Sequence, residues 1–76
     1  MIFEKVKRIT AHQLNVDEKT IKMDTAFEED LKADSLELFQ IIMEIEDEFN
    51  IQIEVADDIK TVEDAVKAVE NRISEK

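Results

Sequence analysis

Apolar residues recur along most of this chain at helical spacing. Ile2, Val6, Ile9 and Gln13 follow one helical row with Phe3 beside it, which predicts an amphipathic helix over 2–14 with Asn15 as its stop. Over 16–33 the period fades, but Ile21, Met23, Phe27 and Leu31 offer apolar anchors among acids and lysines. That stretch reads as a long loop pinned to the core. At Asp34 the pattern sharpens. An Asp followed three residues later by Glu37 is the signature of a capping box, and an apolar-rich run extends to Phe49.

Beyond Asn50, residues 51–55 alternate like a short strand. A lone strand in a helical chain has no partner for its backbone, so an extended connector is expected, leading to a short helical turn at 56–59. Thr61 and Asp64 repeat the capping spacing, and Val62, Ala65, Val66, Val69 and Ile73 recur at helical intervals, giving a last helix that ends in a polar tail. Three long amphipathic helices and one short one cannot bury their stripes separately. The expectation is an all-α, small four-helix bundle forming a single domain over 1–76.

The central helix carries two apolar rows. Leu38, Ile41, Ile42, Ile45 and Phe49 form one stripe at roughly 100° per residue, the expected core face. Leu36, Phe39 and Met43 lie on another flank, with Gln40, Glu46 and Asp47 near them. Apolar anchors framed by negative charge suit docking of a partner, and methionine suits a surface that fits several partners. The other reading is that these three residues widen the core contact of a nearly buried helix.

Charge narrows the partners. Twenty acidic against ten basic residues give a net charge of −10, which disfavours nucleic acid and anionic lipid and favours basic protein surfaces. There is no cysteine, so neither disulfides nor thiolate metal ligation reinforce the fold, and any thiol chemistry must be borrowed. The first ten residues, MIFEKVKRIT, interleave lysines and an arginine with apolar residues, unlike a signal-peptide core or a membrane span. Calcium binding of the EF-hand kind needs a glycine at its sharp turn, and the chain has none. His12 is the only histidine, and the two serines, Ser35 and Ser74, stand far from it in sequence. No pairing of nucleophile and base is indicated, and no metal site.

Ser35 falls at the first position of the predicted central helix, where free backbone N–H groups and the positive end of the helix dipole would stabilise an attached phosphodiester. Taken alone, a serine after an aspartate at a helix start is ordinarily part of a cap. The wider segment Phe27-Glu28-Glu29-Asp30-Leu31-Lys32-Ala33-Asp34-Ser35-Leu36-Glu37-Leu38 resembles the attachment segment of acyl carrier proteins, with its Asp-Ser-Leu at the head of the second helix. The resemblance continues through the Phe49-Asn50-Ile51-Gln52-Ile53 exit and the stretch from Ile59 to Ala65.

The resemblance implies that Ser35, flanked by Asp34 and Leu36, receives 4′-phosphopantetheine from coenzyme A through a separate phosphopantetheinyl transferase. Acyl groups then ride on the arm as thioesters and are delivered to fatty acid synthesis enzymes in the cytoplasm. By the same comparison the protein is a carrier and not a catalyst, and a monomer is expected. Asp34, Leu36, Phe39 and Met43 match positions around the attachment serine presented to enzymes, and Glu37, Glu46 and Asp47 match acids that meet basic patches. Three departures stand out: Gln40 replaces a common acid, Lys32 replaces the usual glycine before Ala-Asp-Ser, and the connector from Ile53 to Val62 is short and lacks its customary proline.

A carrier must shelter an acyl chain from water, and Ile41, Ile45, Phe49, Ile53 and Ile59 are the candidate lining residues, equally fit to serve as ordinary core. Within carriers, a specialised lipid, polyketide or aminoacyl pathway is the alternative to fatty acid synthesis. Outside them, the alternative is an acidic interaction module that needs no cofactor.

Overall fold

In a computed structural model of the chain, residues 2–53 and 58–74 are described. Three α-helices, α1 (Ile2–Leu14), α2 (Ser35–Phe49) and α3 (Val62–Ser74), make up an all-α helical bundle in which α1 packs against both of the others. The short helical turn expected at 56–59 falls mostly on residues outside those described. The loop between α1 and α2 holds one turn of 3-10 helix, Glu18–Thr20, where sequence gave only loop. Asp17 starts that turn by accepting the N–H of Lys19 through its side chain at 2.9 Å.

Each long helix owes its ends to short-range chemistry. Asn15 and Asn50 adopt left-handed backbone, φ 55° in both, and so end α1 and α2 without glycine. At the head of α3, Thr61 Oγ1 accepts the N–H of Asp64 at 3.2 Å, and the Asp64 carboxylate accepts the N–H groups of Lys60 and Thr61 at 3.0 and 3.1 Å. Three orphan donors at the start of the helix are thereby satisfied.

The core is one cluster that includes Val6, Phe27, Ile41, Ile45, Val62 and Val69, all fully buried. Burying each such side chain contributes roughly 1.5–3 kcal/mol. Thr10 works against this total, because its hydroxyl is buried with no partner among the described residues.

The long loop is held by backbone as much as by side chains. Phe27 N–H donates to Lys60 carbonyl at 2.9 Å, Val62 N–H to Thr25 carbonyl at 2.9 Å, and Glu63 N–H to Met23 carbonyl at 2.8 Å. The first two form a single antiparallel bridge, Ala26 to Thr61, and with the third they tie the loop to the head of α3. Of the four expected anchors, Ile21 and Phe27 are buried and Leu31 half-buried, whereas Met23 is exposed.

Lys32 closes the loop at φ 60°, a left-handed conformation that a side chain with a Cβ adopts at a cost. Its N–H donates to Glu28 carbonyl at 3.2 Å, and Ala33 N–H returns to Phe27 carbonyl at 2.9 Å. Lys32→Gly is therefore expected to stabilise the protein, by about 0.5–1 kcal/mol after the entropy that glycine adds to the unfolded chain. Thermal denaturation checks this, and an unchanged or lower Tm would show that the loop tolerates lysine without strain.

The cap of α3 predicts a pH dependence. The backbone N–H of Lys60 foremost holds the Asp64 carboxyl below its ordinary 3.8; desolvation is the next influence and pushes upward, and the amide and hydroxyl of Thr61 and the charge of Lys67 add to the lowering. A carboxyl lowered in the folded state contributes stability above its unfolded value and loses it as the pH falls through the folded one. Asp64→Asn is expected to lower Tm at neutral pH, with the gap to the parent closing below the ordinary 3.8. A gap that persists unchanged in acid would assign the effect to shape and not to charge.

Candidate functional site

The site is assembled at the head of α2. Asp34 stands just outside the helix with φ −84° and ψ 178°, and its carboxylate accepts the N–H of Glu37 at 2.8 Å. The Glu37 carboxylate reaches back to accept the N–H of Asp34 at 3.1 Å. With Leu38 N–H bonded to Asp34 carbonyl at 2.9 Å, the N–H groups of Ser35 and Leu36 are left without protein acceptors among the described residues. Ser35 is exposed, and its hydroxyl has no hydrogen-bond partner among the described residues.

This geometry separates Ser35 from the cap. Asp34 supplies the capping oxygen, so the serine hydroxyl is not consumed in starting the helix. Ala33, the residue before Asp34, is buried at 3 % exposure and fixes the chain at this point. An unengaged hydroxyl beside two free amides, at the positive end of a 15-residue helix, is a favourable seat for a phosphate ester.

Ser35 also borders a cleft of about 640 Å³. Its other walls are loop residues 26–29, Leu38 and Phe39 of α2, and residues 59–61. Loop and head of α3 face α2 here because of the bridge between Ala26 and Thr61. Sequence reasoning missed Ala26, Phe27, Lys60 and Thr61 as neighbours of Ser35, since a pairing of loop backbones leaves no trace in side-chain period.

The two apolar rows of α2 part company. Ile41, Ile42 and Ile45 are buried, and Leu38 and Phe49 are half-buried. Leu36, Phe39 and Met43 are 64, 54 and 49 % exposed, so this row does not widen the core contact and stands in solvent. Of the three acids predicted to frame it, Glu37, Glu46 and Asp47, only Asp47 is exposed with no partner among the described residues. Glu37 belongs to the cap, and the Glu46 carboxylate accepts the N–H of Ile53 at 2.7 Å.

The five candidate lining residues are spread more widely. Ile59 borders the cleft at Ser35 and also a second cleft of about 310 Å³, which it shares with Ile53, Asp58 and residues of α3. Ile41 and Ile45 are sealed in the core, and Phe49 is half-buried with Lys5 Nζ 5.6 Å from its ring centre. His12 lies in a different cleft from Ser35, between Lys7, Arg8 and the loop after α1. Among the described residues no cluster of His, Cys, Asp and Glu is placed to hold a metal ion, and no helix is long and apolar enough to cross a membrane.

Residues 4–69 match the family described as "Phosphopantetheine attachment site". The chain is 50% identical over 70 residues to the acyl carrier protein of Lactococcus lactis subsp. cremoris (strain MG1363), covering 92% of this chain and 94% of that one. It is 49% identical over 71 residues to the acyl carrier protein of Streptococcus thermophilus (strain CNRZ 1066), covering 93% and 95%. The same identity, length and coverage hold for the acyl carrier protein of Streptococcus pneumoniae serotype 4 (strain ATCC BAA-334 / TIGR4). A helical bundle with a free serine at the head of its central helix, aligned along nearly its whole length with such relatives, belongs to the phosphopantetheine-attachment family of acyl carrier proteins, which are carriers and not catalysts.

Proposed function

We propose that Ser35 is the attachment point of 4′-phosphopantetheine and that the protein delivers acyl groups held there to fatty acid synthesis enzymes in the cytoplasm. The observation that carries this reading is the unengaged, exposed Ser35 hydroxyl beside the free N–H groups of Ser35 and Leu36. The group, once bound, supplies the thiol that forms acyl thioesters, which a chain with no cysteine cannot supply itself.

The rest of the work falls to the chain. Asp34 and Glu37 hold the start of α2 so that the serine projects from a rigid element and not from a loop. Leu38 and Phe39 give the adjoining cleft an apolar floor, and Ile59 links it to the second cleft, a route by which an acyl chain leaves water. Ile41, Ile45, Phe49 and Ile53 extend the aliphatic surroundings of that route.

Delivery requires brief docking with successive enzymes. Leu36, Phe39 and Met43 form the apolar centre of the docking face, and the surrounding acids, Asp47 most directly, steer basic partner surfaces toward it. Glu37 and Glu46 add charge to this face while their hydrogen bonds hold the backbone. Partners are the phosphopantetheinyl transferase and acyl-transfer enzymes, and a monomer exposes the whole face to them.

Attachment is tested by intact mass. Incubation with coenzyme A and a broad-specificity phosphopantetheinyl transferase is expected to add one arm, and Ser35→Ala to abolish the gain. A parent protein that stays unmodified would instead favour an interaction module without cofactor, and a modified Ser35→Ala would move the site. Because the exposed row contributes little to the core, Phe39→Ala and Met43→Ala are expected to leave Tm nearly unchanged. Each is expected to lower kcat/KM for acyl transfer to a partner enzyme by roughly tenfold, the loss of an interface anchor. Wild-type transfer rates in both variants would remove this row from the docking face.

A further inference from the structure

Glu46 holds the exit of α2 at three points. Its carbonyl accepts the N–H of the cap residue Asn50 and the N–H of Ile51, the latter at 3.1 Å. Its carboxylate reaches past both to accept the N–H of Ile53 through Oε2 at 2.7 Å. The side chain is half-buried, unlike that of its neighbour Asp47, which is exposed and unpartnered among the described residues. A carboxylate accepting a backbone N–H at this distance is among the stronger kinds of hydrogen bond.

What this bond holds is the wall of the second cleft. Ile53 and Ile59 are the large apolar residues lining that cleft, whose other walls are Ala68 and polar side chains, and Ile59 also lines the cleft beside Ser35. Residues 51–53 have no regular secondary structure, so Ile53 lacks a helical or sheet bond to fix its N–H. The only acceptor for that N–H among the described residues is Glu46.

We propose that Glu46 is a positioning residue for the acyl cargo: by tethering the N–H of Ile53, its carboxylate holds the wall formed by Ile53 and Ile59 in place and shields a bound acyl chain from the solvent. This rests on the attachment at Ser35. In this role the acceptor oxygen matters more than the negative charge, which separates it from a role in steering partners. Glu46→Gln keeps an oxygen in place without the charge, and Glu46→Ala removes both.

Two readings test the tether, after loading has been checked by mass. In the unloaded protein, hydrogen exchange at the Ile53 amide is expected to accelerate at least tenfold in Glu46→Ala, and about twofold or less in Glu46→Gln. In loaded proteins, hydroxylamine cleavage of an octanoyl thioester is expected to quicken roughly five- to tenfold in Glu46→Ala and to stay near the parent rate in Glu46→Gln. Cleavage of an acetyl thioester, too short to reach the wall, is expected to be unchanged in both.

Glu44→Ala is the control for general loosening, since Glu44 ties α2 to α1 by accepting from Gln13 Nε2 at 2.7 Å and is not the acceptor of the Ile53 N–H. Its octanoyl cleavage is expected to match the parent. Equal effects of Ala and Gln at position 46, or equal acceleration for acetyl and octanoyl, or an acceleration in Glu44→Ala as large as in Glu46→Ala, would overturn the proposal. Retained protection of the Ile53 amide in Glu46→Ala would overturn it as well. Failure of the parent protein to load would instead overturn the attachment at Ser35, while amide exchange in the unloaded chain would still report on the tether.

Discussion

The reciprocal exchange between Asp34 and Glu37, each carboxylate accepting the other residue's backbone N–H, is the interaction on which the rest of the molecule turns. It fixes where α2 begins, and with it the phase of the helix. A shift of one residue would rotate the helix by roughly 100° and carry Ile41, Ile42 and Ile45 off the core face. It also assigns the capping task to aspartate, which releases the serine beside it. Had Ser35 supplied the capping oxygen, its hydroxyl would be held by the backbone of its own helix and would be a poor nucleophile for any transferase.

Absence of glycine and proline shapes the remaining turns. Asparagine ends α1 and α2 because its short polar side chain tolerates left-handed backbone, and lysine does the same task before Ala33 at greater cost. A chain of 76 residues has little core with which to offset such costs, and the buried hydroxyl of Thr10, unpaired among the described residues, adds another. The compensation lies in backbone bonding between distant segments. Residues 23–27 and 60–63 lend their amides and carbonyls to each other, so that the loop is effectively part of the fold and one wall of the cleft at Ser35.

What could be read before any coordinates was whatever a side chain reveals by type and spacing. The bounds of α1 with its stop at Asn15, the caps at Asp34 and Thr61 and the buried stripe of α2 all follow from period and from local hydrogen-bond chemistry. Two things were out of reach. The bridge between Ala26 and Thr61 is made by main-chain atoms common to every residue, so neither alanine nor threonine announces it. The division of labour among the acids was equally hidden: Glu37, Glu46 and Asp47 look alike in a sequence, but the first two accept backbone N–H groups, and Asp47 has no partner among the described residues.

That division bears on how so acidic a helix serves a protein of net charge −10 without weakening it. Carboxylates scattered on a small surface repel one another, and the exposed ion pairs here, such as Lys5 with Glu48 at 3.2 Å, contribute little in return. A carboxylate that accepts a backbone N–H is different, because it satisfies a donor that would otherwise lose its partner on folding. Asp34, Glu37 and Glu46 on or beside α2, and Asp64 at α3, are placed in this way. The same negative charges therefore hold the backbone from within and present an attractive field to basic partners from without, and the apolar row of Leu36, Phe39 and Met43 lies where that field is read.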